Sequence, residues 1–410
     1  MNMLKELNPS IRTLMTPGPV EAEPRVLRAM SIPVIGQFDP EFLQIMDETM
    51  ALLRKLFQTK NHWAYPIDGT ARSGIEAVLC SVIEPGDQVL VPIYGRFGHL
   101  LAEIAYRSGA EVSTIECEWG TAFEQEDMIT QIKKVKPKVV ALVHGETSTG
   151  IMQPIEEVGK FCRDNQILLI VDAVATLGGT DFKTDEWNVD AVISGTQKCL
   201  GVPTGMAPIT YNEKVEKILL ERQKIEQGLD ISSVNHRRIQ SNYLDLSQIQ
   251  EYWAPQRLNH HTEATSMLYA LREGLRIIHE EGLQPRFARH KLHEKALTEG
   301  LKAMGLTLFG DPFYKLPVVT CVNIPEGVDG DQVRHMMLYE FGVEIASSFG
   351  SLAGKIWRIG SMGYSCRKEN ILKVLTALEA SVYRQGGKVH LGAAAQAALD
   401  VYENQSAVIQ

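Results

Sequence analysis

The 410-residue chain has few cysteines, and their spacing matches neither a zinc site nor a disulfide framework. There are six, at positions 80, 117, 162, 199, 321 and 366, with no Cys-x-x-Cys pair. A reducing compartment is therefore expected. No apolar run approaches the roughly 18 residues that cross a membrane, and the first eleven residues lack the apolar core of a secretory signal. We expect a cytoplasmic protein with no membrane span.

Positive charge is also in short supply. The chain has 41 Lys and Arg against 50 Asp and Glu, which gives a formal net charge of −9. A polyanion would find no basic surface, so no nucleic acid partner is expected. Neither Gly-x-x-x-x-Gly-Lys-[Ser/Thr] nor a Gly-x-Gly-x-x-Gly after a first strand is present, which disfavours nucleotide-binding loops. The 44% hydrophobic and 22% charged content is ordinary for a globular protein.

The pattern of apolar residues predicts alternating strands and helices up to about residue 281. Runs that are apolar on both faces predict buried strands in a mostly parallel sheet covered by helices. The predicted strands span 88–92, 139–143, 167–171 and 191–194. The predicted helices span 40–58, 73–83, 97–108, 124–134 and 154–165, with Pro154 in the first turn of the last one.

From about residue 282 the pattern changes to that of a smaller α+β unit. Helices are predicted over 283–304, 329–341 and 367–384, and strands over 316–324 and 355–360. The alanine-rich stretch 392–401 favours helix and is expected to be a peripheral appendage. The expected organisation is an N-terminal arm (1–15), a large α/β domain (16–281), a smaller α+β domain (282–385) and a C-terminal tail (386–410).

Lys198 and Asp172 have the clearest chemical meaning. Each follows a predicted strand, and neighbouring parallel strands end at the same sheet edge, where open α/β folds bind ligands. Pyridoxal phosphate needs such a pair, because its aldehyde forms a Schiff base with a lysine and its ring nitrogen keeps a proton beside a carboxylate. For these two residues alone, an ordinary salt bridge is the alternative.

Four further segments offer groups that a phosphorylated ring and an amino acid could use. Gly69-Thr-Ala-Arg-Ser-Gly74 leads into a predicted helix whose first N–H groups can face a phosphate, although a plain turn explains it as well. Phe97 could cover a flat ring or lie in the core. The loop 144–150 offers hydroxyls. Arg358 could bind a carboxylate through two hydrogen bonds or form a structural ion pair.

The adjacent residues His260 and His261 raise the question of a metal site. Neighbouring side chains diverge in a helix or a strand, and no carboxylate at ligand spacing completes the set. No metal is therefore expected.

Together these segments resemble the class V aminotransferases of fold type I, in particular the alanine–glyoxylate and serine–pyruvate group. The resemblance spans roughly residues 14–380 and implies a pyridoxal-phosphate-dependent aminotransferase with a seven-stranded, mostly parallel sheet. It is carried by seven segments in the family's order: Thr16-Pro-Gly-Pro, Gly69-Thr-Ala-Arg, His144-Gly-Glu-Thr-Ser-Thr-Gly, Val171-Asp-Ala-Val-Ala-Thr-Leu-Gly-Gly, Ser194-Gly-Thr-Gln-Lys, His260-His-Thr and Arg358-Ile-Gly.

The resemblance also implies roles for individual residues. Lys198 would hold the cofactor and move the α-proton, Asp172 would pair with the ring nitrogen, and Arg358 would bind the substrate carboxylate. The other implied cofactor contacts are Thr70, Ala71, Arg72 and Gln197 on the phosphate side, Phe97 and Val174 against the ring, Ser148 nearby, and Thr262 from a neighbouring subunit. A homodimer with a shared active site follows, with Asn259 also delivered across the interface.

Two positions bear on the substrate. Asn259 stands where the alanine–glyoxylate group has a tyrosine, and Gln37 lies in a loop that borders the substrate pocket in relatives. Two carboxamides in one pocket match a substrate with a planar amide of its own, such as a ureido group; contact with backbone or water is the alternative. The chain thus most resembles the (S)-ureidoglycine–glyoxylate branch of purine catabolism, which converts ureidoglycine and glyoxylate to oxalurate and glycine.

Three other functions stay open. The nearest is alanine–glyoxylate or serine–pyruvate transamination with the same residues. A lyase or cysteine desulfurase of this fold is disfavoured, because the loop 347–354 has no cysteine and Gln197, rather than histidine, precedes Lys198. A non-enzymatic relative of the fold is the third.

Overall fold

The computed structural model describes residues 5–222 and 238–406. Its strands are β1 (Thr13–Leu14), β2 (Trp63–Asp68), β3 (Gln88–Ile93), β4 (Glu111–Glu116), β5 (Val139–Val143), β6 (Gly145–Glu146), β7 (Ile151–Met152), β8 (Leu168–Asp172), β9 (Ala191–Ile193), β10 (Met206–Tyr211), β11 (Val319–Asn323), β12 (Val343–Glu344), β13 (Ala346–Ser347) and β14 (Ile356–Gly360). Its helices are α1 (Pro24–Met30), α2 (Pro40–Leu56), α3 (Ala71–Val82), α4 (Arg96–Arg107), α5 (Gln125–Val135), α6 (Glu156–Asp164), α7 (Glu213–Leu220), α8 (Leu246–Trp253), α9 (Thr265–Glu281), α10 (Leu283–Ala303), α11 (Gly330–Glu340), α12 (Lys368–Arg384) and α13 (Ala393–Ser406). No helix in these two ranges is both long and apolar enough to cross a membrane.

A seven-stranded sheet forms the centre of the larger part of the molecule. Its strand order is β2-β10-β9-β8-β5-β3-β4, and β10 runs antiparallel to both of its neighbours. The other pairings, from β9 to β4, are parallel. The predicted α/β fold with a mostly parallel sheet is therefore confirmed. Strands β5 and β8 are buried along their whole length, as their uninterrupted apolar runs predict.

Three strands of this sheet were not predicted from the sequence. Strands β2 and β10 contain Pro66 and Pro208, which oppose each other in the antiparallel register. A proline cannot donate to the ladder and argues against a strand. Strand β4 lies at the sheet edge and has no buried residue, so it shows no apolar run.

Helix α6 begins later than predicted. Pro154 precedes the helix rather than lying in its first turn, and Ile155 is the residue at the helix start. Ile155 has φ −135° and ψ −2°, which are not helical values. The Pro154 carbonyl instead accepts a hydrogen bond from Gln153 Nε2 (2.9 Å).

A second hydrophobic cluster lies around a three-stranded antiparallel sheet with the order β11-β14-β13. Helices α10 to α12 pack around it, and the N-terminal arm joins it because β1 pairs with β12. Helix α13 differs from the expected peripheral appendage, since Ala394 and Ala398 are buried in this cluster. Gly300 of α10 makes the close approach possible: a Cβ there would lie 2.9 Å from the Ala394 carbonyl oxygen. The division into a large domain (16–281) and a smaller domain (from 282) stays a prediction, because a third cluster, with Cys199 and Val319 among its members, joins residues of both ranges. Helix α13 packs in the cluster of the C-terminal part.

Candidate active site

Lys198 and Asp172 meet at the carboxyl edge of the seven-stranded sheet. Asp172 is the last residue of β8. The adjacent parallel strand β9 ends at Ile193, so Lys198 lies in the loop that follows rather than at the strand end. Both residues line a cavity of about 330 Å³.

Lys198 is half-buried in the wall of the cavity. Loss of contact with water is the main cause that lowers its pKa to about 8, and the nearby positive charge of Arg358 lowers it further. Lys198 Nζ donates a hydrogen bond to the Pro17 carbonyl. Gly18 has φ +109°, and a Cβ there would lie 2.7 Å from Nζ. Only glycine therefore leaves room for this lysine.

Asp172 is a buried carboxyl group at the same edge. Burial is the main cause that raises its pKa to about 7, and the charge of Glu146 raises it further. A hydrogen bond from the Val174 N–H to Oδ1 (2.9 Å) and the charge of Lys198 lower it. Because a cation beside Asp172 would stabilise the ionised form, the position fits a protonated ring nitrogen.

The cavity brings together most of the residues predicted to bind a cofactor. Those that line it are Thr70, Ala71, Arg72, Phe97, Asp172, Val174, Gln197 and Lys198. Thr70 precedes the first turn of α3, and its side chain does not cap that end. The Ser73 N–H donates to the Thr70 carbonyl (2.8 Å), and the N–H groups of Ala71 and Arg72 before it can face an anion. Gln197 Oε1 is buried without a hydrogen bond, and a carboxamide can offer either end to a ligand.

Arg358 lies on β14, close to the cavity but not in its lining. Its Nε donates to the Ser347 carbonyl (2.7 Å) and its Nη1 to the Thr147 carbonyl (3.1 Å). The Phe349 ring contacts two guanidinium groups, those of Arg358 at 4.5 Å and of Arg96 at 4.0 Å from the ring centre. Burial lowers the pKa of Arg358 to about 10. The arrangement fixes a buried cation beside Lys198.

The model of the family described as "Aminotransferase class-V" matches residues 29–368. The chain belongs to the class V aminotransferases. A Bacillus subtilis protein named (S)-ureidoglycine–glyoxylate transaminase is 64% identical over 409 residues, which is 98% of each chain. An alanine–glyoxylate aminotransferase from Drosophila melanogaster is 37% identical over 378 residues, covering 90% of this chain and 92% of that protein.

Solved structures of aminotransferases have the same fold as this chain. The crystal structure of ureidoglycine–glyoxylate aminotransferase from Bacillus subtilis has a TM-score of 0.93, covering 97% of this chain and 100% of that one. An alanine–glyoxylate aminotransferase from Nostoc has a TM-score of 0.88 at 40% identity, covering 93% and 97%. The predicted fold type I is confirmed. Dependence on pyridoxal phosphate is a general property of this family. Lys198, the buried carboxyl group of Asp172 and the N-terminus of α3 fit this cofactor.

Ser148 lies outside the cavity lining, although the resemblance places it near the cofactor. Its hydroxyl donates to Glu146 Oε1 (2.6 Å) and accepts from the Arg96 N–H (3.0 Å). The Ser148 hydroxyl thus joins the loop 144–150 to the start of α4.

Glu146 is a member of the site that the sequence analysis missed. Its carboxyl is fully buried and accepts hydrogen bonds from the N–H groups of Phe97 (2.8 Å) and Ser148 (2.9 Å). Burial raises the pKa of Glu146. The carboxyl holds the backbone of Phe97, the aromatic residue that lines the cavity. The only sequence signal was its position in the polar segment after a buried strand, which does not distinguish it from a solvated acid.

Gln37, Asn259 and Thr262 do not line the cavity of their own chain. Gln37 Nε2 donates to Asn259 Oδ1 (2.8 Å), and Gln37 Oε1 accepts from the Glu263 N–H (3.3 Å). Asn259 and Thr262 are exposed. The structure therefore brings the two predicted carboxamides into contact with each other on the surface of one chain.

His260 and His261 do not diverge, contrary to the sequence analysis. Their Nδ1 atoms are 2.8 Å apart. Residues 257–264 form neither helix nor strand, so the rule that neighbouring side chains point apart does not hold there. Asp68 and Glu263 lie beside His261, and the expectation that no carboxylate completes a ligand set is wrong. Sequence spacing could not reveal Asp68, which comes from the distant strand β2.

Proposed function

We propose that this chain is a pyridoxal-phosphate-dependent transaminase that converts (S)-ureidoglycine and glyoxylate to oxalurate and glycine. One observation carries the proposal: the 64% identity to the Bacillus subtilis ureidoglycine enzyme extends over 98% of both chains. The alanine–glyoxylate relatives named above and others like them are more distant, at 33–40% identity. Six free thiols among the described residues favour a reducing, cytoplasmic setting for this reaction.

Different residues of the cavity would bind the phosphate, the ring and the ring nitrogen of the cofactor. The open N-terminus of α3 with Thr70, Ala71 and Arg72 would hold the cofactor phosphate. Phe97 and Val174 would pack against its ring, and Asp172 would keep a proton on the ring nitrogen. Bound pyridoxal phosphate supplies the electron sink that makes the α-hydrogen of an amino acid acidic.

Lys198 and Arg358 would act on the substrate. The lowered pKa of Lys198 would leave its Nζ able to accept the α-proton of ureidoglycine near neutral pH, and the protonated amine could act as the acid that gives a proton to the α-carbon of the glycine product. Arg358 uses Nε and Nη1 on backbone carbonyls, which fixes the guanidinium plane so that its remaining edge can bind the substrate carboxylate. Bound pyridoxal phosphate would carry the amino group between ureidoglycine and glyoxylate.

We propose that the active site is completed by a second subunit. The carboxamides of Gln37 and Asn259 contact each other and lie outside the cavity of their own chain, and the exposed Thr262 lies on the same segment. In a homodimer this segment would reach the neighbour's cavity, with Thr262 on the phosphate and the carboxamide pair on the ureido group. A carboxamide pair offers both donors and acceptors to a planar ureido face.

A panel of amino donors tests the proposed function. The purified enzyme is given glyoxylate with freshly generated (S)-ureidoglycine, L-alanine or L-serine, and glycine formation is measured. We expect the highest kcat/KM with ureidoglycine. A higher value with alanine or serine would replace the proposal by the alanine–glyoxylate or serine–pyruvate function that the more distant relatives favour.

Asn259→Tyr should shift the donor preference. We expect kcat/KM for ureidoglycine to fall about 10- to 100-fold, because the ureido group loses a hydrogen-bonding partner, while the value for alanine changes little. The ratio of the two donors is the measurement. Asn404→Tyr, at an exposed position of α13, is the matched control and should leave the ratio unchanged. An unchanged ratio in Asn259→Tyr would remove Asn259 from substrate recognition.

Covalent capture of the cofactor should depend on pH. Only an uncharged amine attacks an aldehyde, and the pKa of Lys198 is lowered to about 8. The capture rate of the cofactor-free protein should therefore rise with pH up to about 8 and level off above it. Stopped-flow absorbance after mixing with pyridoxal phosphate measures this rate. A rate that keeps rising to pH 10 would mean that the amine has the pKa of an ordinary lysine.

A further inference from the structure

A second group of chemically able side chains lies outside the cofactor cavity. Asp68, His261 and Glu263 each present one potential ligand atom, and the three atoms lie within 4.8 Å of one another. Asp68 is the last residue of β2, whereas His261 and Glu263 belong to the segment before α9. The proposed transaminase reaction does not use this group.

The distances in this group match the coordination sphere of a metal ion. His261 Nε2 lies 3.3 Å from Asp68 Oδ2 and 3.6 Å from Glu263 Oε2. Ligands at about 2.1 Å from a tetrahedral ion are separated by roughly 3.4 Å. One ion can therefore contact all three atoms after only small shifts.

Four polar atoms of this group are buried without hydrogen bonds, whereas Asp68 Oδ2 accepts one from the Ala264 N–H (3.0 Å). The Glu263 side chain is 1% exposed, and both of its carboxyl oxygens lack a hydrogen bond, as do Asp68 Oδ1 and His261 Nε2. Within the described ranges, the ion pairs of Asp68 and Glu263 are with His261 alone. A buried carboxylate beside a second, partly buried carboxyl group, with neither paired to a Lys or Arg in the described ranges, is costly unless a proton or a cation neutralises it.

His261 is oriented as a metal-binding histidine is. Its Nδ1 is 2.8 Å from His260 Nδ1, which leaves Nε2 facing the two carboxyl groups. With the proton of His261 on Nδ1 and donated to His260, Nε2 carries the free lone pair that a metal needs. A second hydrogen bond of this kind typically fixes the tautomer and the ring plane of a ligand histidine. The ring centres of Tyr243 and Tyr252 lie 5.7 and 5.0 Å from the ring centre of His261. The two aromatic rings therefore cover part of this group.

We propose that Asp68, His261 and Glu263 bind a divalent transition-metal ion of the Zn²⁺ or Mn²⁺ type. One imidazole nitrogen with carboxylate oxygens is the donor set that such ions accept, whereas Mg²⁺ and Ca²⁺ prefer oxygen alone. Asp68 directly precedes the Gly69–Thr70 loop at the cavity, and Glu263 directly follows Thr262. The ion would tie the end of β2 to the segment that carries Asn259 and Thr262.

Metal content and thermal unfolding test the proposal on the full chain. The holoenzyme is dialysed against a chelator and then against Zn²⁺, Mn²⁺, Mg²⁺ or Ca²⁺, and metal per chain is measured by mass spectrometry. We expect one Zn²⁺ or Mn²⁺ per chain and a Tm a few degrees above that of the chelator-treated protein. Binding of Mg²⁺ or Ca²⁺ in place of both transition metals would overturn the assignment.

Glu263→Gln keeps the shape of the side chain and removes a ligand charge. It should weaken metal binding at least about 100-fold and abolish the Tm response to chelator. Asp68→Asn should do the same, and Glu326→Gln, at an exposed position, should leave both unchanged. The alternative is a group that shares protons without metal: the wild-type Tm would then ignore chelator and Glu263→Gln would raise Tm, because a costly buried charge is gone. That result would overturn the proposal, as would equal metal content in wild type and Glu263→Gln.

Discussion

The Lys198→Ala enzyme should lose transamination, with kcat lower by at least about 10⁴-fold. Two contributions disappear together: the amine that holds the cofactor covalently and the base that moves the α-proton. Among the residues that the structure describes, Lys198 is the one lysine in the cavity lining, so no described neighbour can replace it. The measurement is steady-state turnover of ureidoglycine with glyoxylate, and borohydride reduction of the wild type should place the pyridoxyl group on residue 198.

Two controls separate chemistry from folding. Lys160→Ala removes an exposed lysine of α6 and should keep wild-type turnover. Burial of its amino group lowers the pKa of Lys198, so its removal relieves a desolvation cost, and Lys198→Ala should unfold no earlier than the wild type. Added methylamine should restore part of the proton transfer if the missing nitrogen is a base. Near-normal turnover by Lys198→Ala would end the case for this cavity as the active site.

The sequence analysis correctly predicted the position of residues that follow the ends of buried parallel strands. Strand β8 ends in Asp172, and its apolar run is readable without a structure. Once the sheet is parallel, the residues after β8 and β9 must share an edge, so the meeting of Asp172 and Lys198 could be predicted. Phe97 follows β3 by the same logic, at the start of α4.

The remaining parts of the site depend on tertiary contacts that spacing does not encode. Glu146 is an ordinary acid in the sequence, and only burial under α4 makes it a support for Phe97. Asp68 is the last residue of β2, which the sequence analysis did not predict because Pro66 argues against a strand. The proximity of Asp68 to His261 could therefore not be predicted. Gln37 and Asn259 were expected in one pocket. The structure shows that their side chains contact each other, but neither residue lines the cavity of its own chain.

Asp172→Asn should lower kcat about 10³-fold while leaving the fold intact. The amide has the shape of the carboxyl, and its oxygen can still accept the hydrogen bond from the Val174 N–H. It carries no charge, so it cannot keep a proton on the ring nitrogen of the bound cofactor. Turnover with ureidoglycine and the absorbance spectrum of the bound cofactor are the measurements. A loss of less than about tenfold would mean that the ring nitrogen does not depend on Asp172.

The same substitution should stabilise the cofactor-free protein, and the sign follows from the pKa. In the folded chain, burial raises the pKa of Asp172 from 3.8 to about 7. Folding therefore favours the protonated form, and the wild type loses stability as the pH rises from about 4 through 7. Asparagine has no charge to bury, so Asp172→Asn should have the higher Tm at pH 8, with a smaller difference at pH 5.5.

Saturation with pyridoxal phosphate should reverse the order of the two Tm values at pH 8, because the wild-type carboxylate then gains a cationic partner. An equal Tm for the two cofactor-free proteins at pH 8 would show that the Asp172 charge carries no desolvation cost. A carboxylate that destabilises the cofactor-free protein and stabilises the cofactor-bound protein is expected of a group that is kept for catalysis rather than for folding.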